Sequence, residues 1–158
     1  MEQMREYTIK ILKDLIEACQ DEYLLFNTAY ENIQNENLKE TFKKYAQEKQ
    51  EHLIKLKCEV KRLGGDLDEP KSNFIDKRPV LDINAESDPK TLLRECVRRD
   101  TITINLYSSA IKEDILWEVI PLVAKQYFGS KNIHDQIYNI FNKAIEKQRQ
   151  PLVQIPIS

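Results

Sequence analysis

The chain has 158 residues, with 24 Lys and Arg against 26 Asp and Glu, a formal net charge of −2 and 41% hydrophobic residues, as expected of one ordinary globular domain. Three glycines are too few for the tight turns of a β-sandwich or barrel, whereas residues that favour helices are abundant. The basic residues are dispersed among acidic ones, which excludes the basic patch of a nucleic-acid-binding protein. We therefore expect an all-α domain with no nucleic-acid partner.

The N-terminal segment and the cysteines indicate a cytoplasmic location. The segment MEQMREYTIK carries charges where a signal peptide needs apolar residues. No stretch approaches the roughly 18 consecutive apolar residues of a membrane-spanning helix. The three cysteines are widely separated and show no CxxC spacing, which favours free thiols over a disulfide framework or a zinc site. We expect a cytoplasmic protein without membrane contact.

Spacings of three and four between apolar residues predict two long antiparallel helices in the first half of the chain. The first helix is expected over residues 4–34. A polar turn at 35–37 contains an N-cap candidate and leads into the second helix. That helix is expected to stop at Gly64 and Gly65, because glycine readily adopts the left-handed conformation of a C-terminal cap.

The second half of the chain predicts another pair of helices. Residues 64–88 form a crossover that is too long for a tight hairpin and long enough to return the chain along a bundle. Asp88 followed by Pro89 is typical of a helix start. A break near 112–114 separates this third helix from a fourth, in which Pro121 marks either a kink or the true beginning.

These elements predict a single antiparallel four-helix bundle over residues 1–150, made of two hairpins. A shift of the sequence by 78 residues places Glu22 on Asp100 and Glu48 on Gln126. This self-similarity suggests that the second hairpin is a duplicate of the first.

Each predicted helix carries polar side chains near the middle of its apolar stripe: Glu22 on the first, Glu48 and His52 on the second, Asp100 on the third, and Gln126 and His134 on the fourth. Helix bundles use such groups to hold metal ions between facing helices. The six residues are therefore candidate metal ligands. The alternatives are solvated or salt-bridged carboxylates, and histidines that merely contact a neighbouring carboxylate.

Four segments carry a resemblance to a known family. They are LKDLIEACQDEYLLF at 12–26, EVKRLGGDLDEP at 59–70, LLRECVRRDTITINLY at 92–107 and VAKQYFGSKNIHDQI at 123–137. These segments resemble a ferritin-like family of small bacterial proteins of uncharacterised function, and the likeness spans roughly residues 9–147. The resemblance implies the ferritin and rubrerythrin type of four-helix bundle.

The sequence departs from the metal-binding pattern of that superfamily. Its di-iron members carry a Glu on each of two helices and a Glu-x-x-His on each of the other two. Here Lys49 stands three residues before His52, Lys131 stands three before His134, and the repeat partner of Glu48 is the neutral Gln126. The resemblance therefore implies the fold and not a complete di-iron centre.

Two functions compete on this basis. The first is a bundle with a structural or interaction role, without a cofactor, that forms a homo-oligomer. The second is a metal-binding bundle with oxidoreductase or metal-handling activity that uses iron or another transition metal. Hydrolases and nucleotide enzymes are disfavoured because the chain has no glycine-rich phosphate loop and no G-x-S-x-G motif.

The C-terminal residues 151–158 form an apolar segment with two prolines. We expect the helical pattern to end at Gln150, since proline lacks the N–H that a helix needs. Exposed apolar residues at a terminus are usually covered, here by the protein's own bundle, by a second subunit or by a protein partner.

Overall fold

The computed structural model describes residues 2–67 and 89–153, with the side chains of 2–67 and 90–147. Four helices account for most of them: α1 (Glu2–Asn32), α2 (Glu36–Arg62), α3 (Pro89–Lys112) and α4 (Ile120–Val153). A 3₁₀ turn, Trp117–Val119, precedes α4. The described part of the chain contains no strand, and the predicted all-α four-helix fold is confirmed.

The predicted ends of the first hairpin are confirmed. Asn35 caps α2, and its side chain accepts a hydrogen bond from the backbone N–H of Leu38. At the other end Gly64 has a φ of +84°, a value that residues with a Cβ rarely adopt. The N–H of Gly65 donates to the carbonyl of Val60 at 2.8 Å. This pattern satisfies the last carbonyls of α2 and ends the helix.

Helix α4 begins where one of the two alternatives placed it and ends later than predicted. Pro121 is the second residue of α4, where its missing N–H breaks no helical bond. The predicted end at Gln150 is wrong, because the helix continues through Pro151 to Val153. At this position proline removes the hydrogen bond to the carbonyl of residue 147, although its fixed φ is compatible with a helix. Residues 154–158 lie outside the described residues.

The helices run up, down, down and up. The hydroxyl of Thr8, near the start of α1, accepts a hydrogen bond from the N–H of Leu116, just after α3, so α1 and α3 are antiparallel. Arg5 donates to the carbonyl of Leu63 at the end of α2. Helix α2 therefore ends at one end of the bundle and α3 begins at the opposite end. Most of the predicted crossover, residues 68–88, lies outside the described residues.

The core consists of two apolar clusters, one toward each end of the bundle. The first surrounds Leu12, Leu56 and Val123. The second surrounds Phe26 and Phe42. On all four helices, the buried residues that separate the two clusters are polar. No helix among the described residues is long and apolar enough to cross a membrane.

Candidate functional site

A layer of buried polar side chains crosses the middle of the bundle between the two apolar clusters. We call it the polar layer, and it consists of Glu22 on α1, Lys49 and His52 on α2, Asp100 and Thr103 on α3, and Gln126 and Ser130 on α4. Each of these positions continues the inward stripe of its own helix, so the helical period alone carries the side chain into the core. The layer therefore places several titratable groups in the interior of the bundle.

Lys49 lies at the centre of the polar layer and connects three helices. Its ammonium donates a hydrogen bond to the hydroxyl oxygen of Ser130 at 2.7 Å. It lies 3.5 Å from the carboxylate oxygen Oε1 of Glu22. The side chains of Lys49 and Glu22 are 0% and 1% exposed. Burial lowers the pKa of Lys49, but the charges of Glu22, Asp100 and other acidic neighbours together outweigh it and hold that pKa above its usual value.

Asp100 supplies the second carboxyl group of the layer. It is fully buried, and its carboxyl group is close enough to that of Glu22 for each to influence the pKa of the other. Burial raises the pKa of Glu22 to about 8 and that of Asp100 to about 6, although the charge of Lys49 opposes both shifts. The ring nitrogen Nδ1 of His134 lies 3.1 Å from Asp100 Oδ2, and the His134 side chain is partly exposed, so this residue links the layer to solvent.

Gln126 organises the other side of the layer. Its amide oxygen accepts a hydrogen bond from the hydroxyl of Tyr107 at 2.6 Å, and its amide nitrogen donates to the backbone carbonyl of His52 at 3.3 Å. The Tyr107 hydroxyl also lies 3.2 Å from the sulfur of Cys19. Burial raises the pKa of the Cys19 thiol to about 11, which makes it an unreactive neutral group. This chain of contacts joins all four helices.

Glu48 and His52 meet at the edge of the layer, where α2 approaches α4. The Glu48 oxygen Oε1 lies 3.9 Å from His52 Nε2. A Cβ at Gly129 would lie 2.8 Å from that carboxylate oxygen, so the missing side chain of this glycine makes room for Glu48. His52 Nδ1 is buried without a hydrogen-bond partner. Burial lowers the pKa of His52 to about 3, which keeps the imidazole neutral.

The structure brings together most of the residues that the sequence singled out. Glu22, Asp100, His52 and Gln126 all lie in the core, which excludes the alternative of solvated carboxylates at Glu22 and Asp100. Glu48 and His134 lie at the edge of the layer.

Sequence reasoning missed Lys49, Ser130 and the hydroxyl of Tyr107. Position 49 shares the inward stripe of α2 with Tyr45 and His52, which was the available signal. A lysine in the centre of a small bundle is too rare to be expected there.

The residues of the polar layer do not fit a di-iron centre. Such a centre needs several anionic oxygens around the ions, whereas here an ammonium occupies the space beside Glu22 and Gln126 is neutral. Within the described residues, no group of three or more His, Cys, Asp and Glu side chains is arranged to hold a metal ion.

Comparisons with known proteins concern the first three helices. A family model described as a domain of unknown function, DUF2383, matches residues 7–113. The matched range includes Glu22, Lys49 and Asp100 and stops before α4. No curated protein matched the chain.

Proposed function

We propose that this chain, which belongs to the DUF2383 family, is a ferritin-like bundle with a structural or interaction role that self-associates. The observation that carries the proposal is that both polar atoms of the Gln126 side chain form hydrogen bonds within the protein. Its two polar ends are both engaged inside the protein, with Tyr107 on α3 and with the backbone of His52 on α2. A side chain engaged in this way holds helices together and offers nothing to a ligand.

The rest of the polar layer supports the same role. Lys49 joins Glu22 on α1 to Ser130 on α4, and Asp100 on α3 is paired with His134 on α4. Buried polar groups contribute little net stability, but they penalise any packing that would leave them unpaired. The apolar clusters alone would allow the helices to shift along one another. The polar layer thus fixes the axial position of each helix relative to the others.

Exposed apolar side chains support self-association. Trp117 is 80% exposed, Phe128 66% and Ile54 56%. Large aromatic residues are enriched at protein interfaces because each buries a large area with few rotatable bonds. We propose that these residues contribute to contacts with a second copy of the chain.

One observation favours the second candidate function, metal binding. His52 Nε2 lies 3.9 Å from Glu48 Oε1, one helical turn away on α2, and Gly129 leaves room for that carboxylate. Imidazole and carboxylate are ligands for iron and other transition metals. Two protein ligands are, however, fewer than the three or four that typically hold a catalytic metal.

Metal analysis of protein purified without chelators separates the two functions. The structural role predicts a transition-metal content far below one ion per chain, and the same content in a His52→Ala variant. A content near one ion per chain that disappears in His52→Ala would replace the structural role with metal handling.

Sedimentation tests the self-association. We expect the chain to form an oligomer that a Trp117→Ser, Phe128→Ser double variant dissociates. Leu24→Ser is the control, because Leu24 on α1 is also 53% exposed and lies on another helix. A second variant that lacks residues 151–158 shows whether the C-terminal segment takes part. Wild-type protein that sediments as a monomer at all concentrations would remove the self-association.

A further inference from the structure

The ammonium of Lys49 occupies a position with unusual surroundings. Lysine side chains almost always keep their charge in water, yet Lys49 is 0% exposed and lies between the two apolar clusters. Glu22 of α1 lies 3.5 Å from its ammonium, and Ser130 of α4 accepts a hydrogen bond from it at 2.7 Å. The buried carboxyl group of Asp100 on α3 is close enough to raise the pKa of Lys49. The centre of the bundle is thus a small shell of oxygen ligands around one positive charge.

The Lys49 ammonium compensates for the negative charge of the shell whenever one of its carboxyl groups is ionised. None of the four carboxyl oxygens of Glu22 and Asp100 accepts a hydrogen bond of good geometry. Isolated carboxylates in an apolar core cost several kcal/mol or more. The Lys49 ammonium, 3.5 Å from Glu22 and hydrogen-bonded to Ser130, supplies the compensating charge. Its aliphatic stem meanwhile fills the space that leads from α2 to the centre.

We propose that Glu22, Asp100 and Ser130 form a cation site and that Lys49 fills it permanently with its own ammonium. The Lys49 side chain on α2 thus supplies the positive charge that a bound cation would otherwise provide. Oxygen ligands of this type suit a hard divalent cation or a primary alkylammonium. The inference depends on the proposed function in one respect, that the polar layer of the wild-type protein carries no metal.

Emptying the site tests the proposal. In Lys49→Ala the ammonium and most of its stem are lost, so n-propylammonium chloride supplies the missing atoms and MnCl₂ supplies an ion. We expect either compound to raise the melting temperature of Lys49→Ala by about 5 °C when it is present at about a hundred times its Kd. Electron paramagnetic resonance should report one bound Mn²⁺ per chain in this variant and none at this site in the wild type.

Matched variants make the result specific. In Lys49→Met an uncharged side chain of similar length fills the same space, so neither compound should raise its melting temperature. In the double variant Lys49→Ala, Glu22→Gln the shell loses one carboxylate, so the response should be strongly reduced. Sodium chloride and n-propanol at equal concentrations control for ionic strength and for the apolar chain of the amine.

Each other result would overturn the proposal. A folded Lys49→Ala that responds to neither compound has no cation site, and an equal response in Lys49→Met places the binding elsewhere. If Lys49→Ala does not fold alone, its helical circular dichroism should return on refolding with either compound, and failure to return counts against the site. Metal in the wild-type protein that His52→Ala removes would contradict the proposed structural role, whereas a folded Lys49→Ala that binds neither compound would contradict the cation site alone.

Discussion

Glu22 on α1 and Asp100 on α3 are both fully buried in the centre of the bundle, close enough for each carboxyl group to influence the pKa of the other. The two residues stand 78 positions apart, the offset at which the two halves of the sequence resemble each other. Because α1 and α3 are antiparallel, a residue of α1 and its counterpart 78 positions later on α3 lie side by side at only one height along the bundle. Glu22 and Asp100 lie at that height. The duplication itself stays a prediction. The pairing has consequences for stability that can be measured.

The first prediction concerns Glu22 and alkaline pH. Burial raises the pKa of Glu22 to about 8 from a usual value of 4.5, so between these values the folded state holds a proton that the unfolded state has lost. Stability must then fall as pH rises, by up to about 1.4 kcal/mol per pH unit. Above pH 6.5 neither Asp100 nor His52 contributes strongly, since the pKa of Asp100 is raised only to about 6 and that of His52 is lowered.

Urea melts between pH 6.5 and 8.5 check this. We expect the stability of the wild type to fall across that range and the stability of Glu22→Gln to fall much less. The exposed Glu40→Gln is the control and should follow the wild type. Equal slopes for Glu22→Gln and the wild type would show that the Glu22 carboxyl is not held in its neutral form.

The second prediction concerns His52 and acid. Burial lowers the pKa of His52 to about 3 from 6.5. Between pH 6.5 and 3 the imidazole is therefore protonated in the unfolded state but stays neutral in the folded state. This contribution to stability is lost as pH falls from 6.5 toward 3. On acidification from pH 7 to 4, the wild type should lose more unfolding free energy than His52→Gln. The difference in stability between the two proteins should therefore shrink or change sign. A constant difference would mean that the imidazole is protonated as easily in the bundle as in water.

The third prediction compares two glycines. A Cβ at Gly129 would lie 2.8 Å from the end of the Glu48 side chain, which is half-exposed and can turn outward. Gly129→Ala should stabilise the protein by about 0.5–1 kcal/mol, because alanine favours the helix. A Cβ at Gly65 would instead meet methyl groups of Ile9 and Val60 at 2.8 and 2.9 Å. Gly65→Ala should destabilise, and thermal melts that show the same sign for both variants would refute the comparison.

The fourth prediction concerns the apolar clusters. Phe26 and Leu56 are fully buried, one in each cluster. Truncation leaves a cavity, so Phe26→Ala and Leu56→Ala should each cost about 2–5 kcal/mol of unfolding free energy. Leu24→Ala on the exposed face of α1 should cost much less. Chemical denaturation gives all three values, and losses as small as that of Leu24→Ala would mean that the two side chains are not in the core.

The helix pattern was readable from the sequence because it depends on neighbours along the chain. Asn35 caps the start of α2 and Gly64 lies at its end, and both act through contacts with residues at most four positions away. Such contacts can be predicted from the local sequence. The end of α4 was misjudged for a related reason. Pro151 predicts a stop because proline lacks the N–H of a helical hydrogen bond, but its fixed φ is itself compatible with the helix that continues to Val153.

The sequence predicts which residues of the polar layer point inward, but not which partners they contact. The sequence alone determined that Glu22, His52, Asp100 and Gln126 lie on inward stripes, because a helix turns a residue spacing into a direction. Only the tertiary structure decided what they meet there. Whether the carboxylates surround a metal ion or a lysine depends on Lys49 reaching across from α2 to Glu22 and to Ser130, 81 residues further along the chain. The charge of a buried group is set by such distant partners and by the exclusion of water, and neither is a property of a local sequence pattern.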